Sequence, residues 1–159
     1  MSRRPYPVGS PAMIRPLSAV AALAAILALA ACGGSSELSK SELVSQADTI
    51  CKKTSDKLDK IPPPRKQSDL SAYGQKASSA IADGTGQLRE LKPPKAQQDD
   101  YDTFVSAAER QQKLASDLSE VSKDKDRSKI KKVLTDAQKA DQEGKAAAKR
   151  IGLKECGKS

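Results

Sequence analysis

The sequence predicts an all-α protein: a single antiparallel four-helix bundle with one disulfide. Three observations carry this. Four segments between Ser39 and Ile151 repeat apolar residues at spacings of three and four, the period of one helix face. No segment alternates polar and apolar residues as a half-buried strand does. The breaks between the four are short, built from Pro-Pro runs or charged residues, so consecutive helices become antiparallel neighbours.

The chain before the first helix has its own logic. Residues 1–16 carry Arg3, Arg4 and Arg15 and no acid, and Leu17 to Ala31 is apolar apart from Ser18. A basic start, a short apolar run and small residues at its end make a signal peptide. The run is shorter than the roughly 20 residues a spanning helix needs, and Gly33-Gly34-Ser35-Ser36 ends it. At its close, Leu29-Ala30-Ala31-Cys32 resembles the lipobox of bacterial lipoproteins. That resemblance implies a diacylglyceryl group on the Cys32 sulfur, cleavage just before Cys32, and acyl chains such as palmitate. Two chains suffice for stable anchoring, where one is marginal. The expected division is a signal peptide over 1–31, a lipid-anchored flexible tether over 32–39 and the bundle over 40–159. Met13 is an alternative start, because Met13-Ile14-Arg15-Pro16 and the apolar run form a complete short signal. Ser2-Arg3-Arg4 with Tyr6 faintly resembles a twin-arginine signal, so start and export route both stay open.

The first helix is expected from Ser39–Ser41 to Ile61. Ser39 with Glu42 fits an N-cap and the acid three residues on, and Leu43, Ala47, Ile50, Cys51, Thr54 and Leu58 share a face before Pro62-Pro63-Pro64. The second is expected from Ser68 to Leu91, with Leu70, Tyr73, Ala77, Ile81, Gly84 and Leu88 in register and Pro93-Pro94 as its stop. Gly84 and Gly86 mark a bend or the close approach of another helix, since each costs about 1 kcal/mol against Ala in a helix interior. The third is expected from Lys95 to Val121 on Phe104, Ala107, Gln111, Leu114 and Leu118. The fourth is expected from Arg127 to Ile151 on Ile130, Val133, Ala137, Ala140, Gly144 and Ala147, with Gly152 as its C-terminal cap.

Leu58-x-x-Ile61-x-Pro63-Pro64-Arg65 is echoed thirty residues on by Leu88-x-x-Leu91-x-Pro93-Pro94-Lys95, and Gln67 and Asp69 by Gln97 and Asp99. The echo is either a duplicated binding loop or the same stop chemistry used twice. Proline bars the residue before it from the helix, which favours the plainer account.

Composition narrows the function. Of 28 Lys+Arg, three lie in the leader, leaving 25 against 20 Asp+Glu, a mild and well-mixed excess. Nucleic-acid binding calls for a concentrated basic stripe, often with stacking aromatics, so no nucleic-acid partner is expected. The chain has no histidine, which removes Ser-His-Asp and Cys-His catalysis and imidazole metal ligands. Asp99, Asp100 and Asp102 cluster at the start of the third helix, where they suit the macrodipole. No calcium loop or phosphate loop is present. Tyr73, Tyr101 and Phe104 are the best hint of a ligand site, though core packing accounts for them more simply.

With Cys32 given to lipid, Cys51 and Cys156 form an even pair outside the membrane, which predicts a disulfide; free thiols are the alternative. Cys51 lies well inside the first helix, so either the tail after Gly152 turns back down the bundle or the start of the first helix overhangs it. The turned-back tail is favoured. Ala47-Asp48-Thr49-Ile50-Cys51, the two Leu-x-x-Ile/Leu-x-Pro-Pro ends and Leu153-Lys154-Glu155-Cys156-Gly157 resemble a group of small extracytoplasmic helical proteins, especially of high-GC Gram-positive bacteria. The resemblance supports the bundle and the disulfide and brings no catalytic residue.

The sequence thus leads to an extracytoplasmic lipoprotein at the cell membrane. It is expected to be a non-enzymatic binding or structural module of the cell envelope, without cofactor or metal, whose partner is an envelope protein or cell-wall component. The alternative is a carrier of a small apolar ligand or lipid, which requires a cavity of a few hundred Å³ between the helices.

Overall fold

The computed structural model of the chain describes residues 37–158. The signal segment 1–31, the lipidation residue Cys32, most of the tether and Ser159 lie outside the described residues. The rest folds as four antiparallel helices: α1 (Lys40–Leu58), α2 (Leu70–Glu90), α3 (Gln98–Val121) and α4 (Arg127–Ile151). Among the described residues there is no strand, and no helix is long and apolar enough to cross a membrane.

Helix ends follow from local chemistry. The Ser39 hydroxyl accepts from the Glu42 N–H, and the Glu42 carboxylate accepts from the Ser39 N–H at 2.9 Å. The Ser39 hydroxyl, followed by its N–H, holds the Glu42 carboxyl below the usual range. α1 stops at Leu58 rather than at the expected Ile61. Pro62 excludes Ile61 from helix, and the Ile61 N–H returns to the Leu58 carbonyl at 2.9 Å. α2 starts at Leu70 rather than Ser68, after a 3-10 turn over Gln67–Asp69. There the Asp69 carboxylate accepts from the backbone N–H groups of Arg65 and Lys66. α3 likewise starts at Gln98, not Lys95, after a 3-10 turn over Lys95–Gln97. Both echoed stretches therefore stop a helix with proline and restart it through one 3-10 turn. α4 has its expected bounds, with Asp126 accepting from the N–H groups of Ser128 and Lys129 at its start and Gly152 at φ 97° at its end.

Small residues bring the backbones together. A Cβ on Gly74 would sit 2.5 Å from the Ala115 carbonyl oxygen, so α2 and α3 meet there backbone to backbone. Gly84 faces Thr54 of α1, and Gly144 faces Ala107 of α3. The expected close approach at Gly84 is found. Gly86 meets nothing within 4 Å, and nothing in the structure explains it. Ion pairs from Lys57 to Asp83, Arg89 to Glu109, Arg110 to Glu143 and Arg150 to Asp100 bridge neighbouring helices. Exposed pairs of this kind contribute at most about 1 kcal/mol each.

The hydrophobic core is concentrated in the half of the bundle nearest residue 37. Leu43, Ala47 and Ile50 of α1 meet Leu88 of α2, Tyr101, Phe104 and Val105 of α3, and Ala147, Ala148 and Ile151 of α4. In the other half Leu118 and Ile130 are buried outside that cluster, among small buried positions such as Gly74, Ala77 and Ser119.

Candidate functional site

One end of the bundle is stapled. Cys51 and Cys156 are bonded, with Cα atoms 5.1 Å apart. Gly152 turns the chain and Leu153 buries itself in the core, so the tail doubles back along α1 as favoured from the sequence. Asp48, one turn before Cys51, fixes that return. Its carboxylate accepts from the backbone N–H groups of Lys154 at 2.9 Å and Glu155 at 2.8 Å, with a longer contact to Cys156. The Cys156 sulfur lies 3.6 Å from the Ala47 carbonyl oxygen. At the same end the Leu38 N–H donates to the Lys92 carbonyl at 2.8 Å. The start of the described chain, the α2–α3 connection and the C-terminal tail therefore lie together.

The other end is open. α1 begins beside the end of α4, where the Lys40 side chain lies against Gly152. Its 19 residues span about 28 Å at 1.5 Å per residue and carry it back only to about the level of Leu134. Beyond that point the first turns of α4 have no α1 beside them. The gap is a groove of about 560 Å³ between the Pro64–Gln67 stretch, the start of α2 and the start of α4. Leu70, Ile130 and Leu134 provide its apolar surface, and Arg65, Lys66, Arg127 and Lys131 its charges. No carboxylate lines it. Among the described residues none of these four cations makes an ion pair: Asp69 is turned to backbone amides, Asp126 to backbone amides and Lys129, and Asp136 to Lys132 and Lys139. Leu134, 46% exposed, is the one large hydrophobic residue exposed among the described residues.

A second groove of about 370 Å³ lies on the other side of the same connection, between Ile61, Pro62 and Tyr73. Only the first of the two echoed connections borders these openings. The second packs Pro93 inward, a difference that favours the plainer account of the echo. Gln67 Nε2 and Gln97 Oε1, at corresponding places in the two, are both buried without a hydrogen-bond partner among the described residues.

The aromatic residues separate as their positions suggested. Tyr101 is 2% exposed, its ring centroid 6.1 Å from that of Phe104, and its hydroxyl donates to the Leu88 carbonyl at 2.7 Å near the end of α2. Burial pushes the Tyr101 phenol far above its ordinary pKa. Tyr73 sits at the opposite end. Between the helices a crevice of about 160 Å³ is lined by Ile81, Phe104, Ala107 and Ala140, with Gln111, Asp141 and Lys145 among its polar groups. That volume matches a benzene-sized group. Among the described residues no cluster of His, Cys, Asp or Glu is placed to hold a metal.

Sequence reasoning named Cys51 and Cys156, quoted Asp48 only within the stretch that carries the family resemblance and without a role, and passed over the groove. The unpaired cations were legible only as parts of a well-mixed surface, and it takes the early stop of α1 to gather them. No protein-family model, curated protein or solved structure matches this chain.

Proposed function

We propose that this chain is an extracytoplasmic lipoprotein, held to the cell membrane by acyl groups on Cys32, and a non-enzymatic binding module of the cell envelope. One observation carries the proposal: the basic, apolar-floored groove lies at the end of the bundle opposite Leu38. A lipid on Cys32, six residues before Leu38, would put the stapled end at the membrane and turn the groove toward the envelope. The leader and its lipobox resemblance support the anchor. The absence of histidine from the chain and the engagement of Asp48, Asp69, Asp100 and Asp126 in caps and ion pairs favour binding over catalysis.

The test is photocrosslinking in living cells. A photoreactive residue at Thr135, in the groove, is expected to capture a discrete envelope partner, and one at the exposed Ser106 on α3 is expected to capture none. Equal yields of the same adducts from both positions, or none from Thr135, would remove the groove as the binding face.

A further inference from the structure

Resting on that reading, we infer that the groove takes an acidic peptide segment of an envelope protein, one that sets an apolar side chain between its carboxylates. The commitment follows from what lines the opening. Four cations surround it, no carboxylate lines it, and none of the four is neutralised by an ion pair among the described residues. An anion is therefore the complementary occupant.

The apolar surface chooses among anions. Leu70 and Ile130 lie beneath the opening and Leu134 stands exposed beside it. A polyol-phosphate or other sugar-phosphate polymer would satisfy the cations and leave that leucine in water. A nucleic acid would call for stacking aromatics, and no aromatic residue lines this groove. A purely apolar ligand would leave four charges unanswered. An acidic peptide with a leucine-like side chain answers both the charges and the floor.

The test uses the full-length protein, purified in a mild detergent, and fluorescence anisotropy. The probe is a labelled synthetic peptide of about twelve residues that alternates glutamate pairs with leucine, the spacing that presents both groups to one groove. It is expected to bind, with affinity falling as salt is raised. Leu134→Ser and the double variant Arg65→Ala/Arg127→Ala should each weaken it by about tenfold or more, as expected when an interface anchor is lost. Both changes fall on exposed residues, and an unchanged thermal melt establishes that the variants are folded. A peptide with serine in place of leucine is expected to bind about tenfold more weakly. Inorganic polyphosphate that binds as well as the leucine peptide, unaffected by Leu134→Ser, would overturn the peptide assignment in favour of an anionic polymer. No binding of the leucine peptide would overturn it outright. Either failure differs from failure of the binding-module reading, because Thr135 crosslinking would still yield a partner.

Discussion

Asp48 shows how one side chain sets a chain path that its own helix does not need. Three consecutive tail amides converge on its carboxylate. Hydrogen bonds to a charged group contribute about 1.5–3 kcal/mol each, and an orphaned buried amide costs a similar amount. Asp48→Ala is therefore expected to lower the unfolding free energy by about 2 kcal/mol in denaturant titrations, more than Asp56→Ala, whose partner is the exposed Lys52. Tyr101 gives a second prediction. Its folded-state pKa is raised, so its contribution is complete below the ordinary phenol value of 10.0 and is lost as pH rises above it. Tyr101→Phe is expected to cost about 1 kcal/mol at neutral pH through the lost bond to Leu88. It should also flatten the fall in stability above pH 10 relative to the natural protein, and an equally steep alkaline fall would contradict the assignment. The sequence marks Cys51 and Cys156 by residue type alone. Asp48 stands in it only as one residue of the Ala47-to-Cys51 stretch, with no partner to give it a role until the tail from 106 residues away is laid over it.

At the scale of the element, boundaries are where sequence and structure part. Periodicity places all four helices, and at α4 both expected ends agree with the structure, Gly152 being the cap named from the sequence and Asp126 the one the structure adds. At α2 and α3 the expected starts fall two or three residues early. The 3-10 turns Gln67–Asp69 and Lys95–Gln97 run directly into α2 and α3, and sequence alone does not separate such a turn from the first turn of an α-helix. Glycine behaves similarly. Gly84 and Gly86 stand out because they interrupt a helix, but the closest backbone contact is at Gly74, near the start of the same helix. Gly74→Ala is expected to destabilise by about 1–3 kcal/mol, the usual cost of overpacking, because the Ala115 carbonyl and Ser119 amide cannot rotate away. Gly86→Ala, in open space, is expected to stabilise by up to about 1 kcal/mol. Thermal melts of the two variants should shift in opposite directions.

The whole molecule is asymmetric along its length. The main core cluster, the disulfide and both chain ends described lie in one half, while the other half bears the groove. The disulfide joins residues 105 apart, a loop worth about 4.7 kcal/mol in the chain-entropy model. Cys51→Ser is expected to cost about 2–5 kcal/mol and to lower the melting temperature markedly; an unchanged melt would remove its stabilising role. The fold class and the cysteine pairing were both legible in the sequence, the first from helical periodicity and the second from an odd cysteine count with one residue set aside at Cys32. The groove was not, because it arises from a difference in length: α1 stops before α4 does, and only their antiparallel register turns that difference into an opening. The direction in which the groove faces depends on the anchor. The most direct test is the intact mass of the protein extracted from membranes. The account requires a chain that begins at Cys32 and carries diacylglyceryl and acyl mass on that residue; a membrane-extracted chain with an unmodified Cys32 would contradict it.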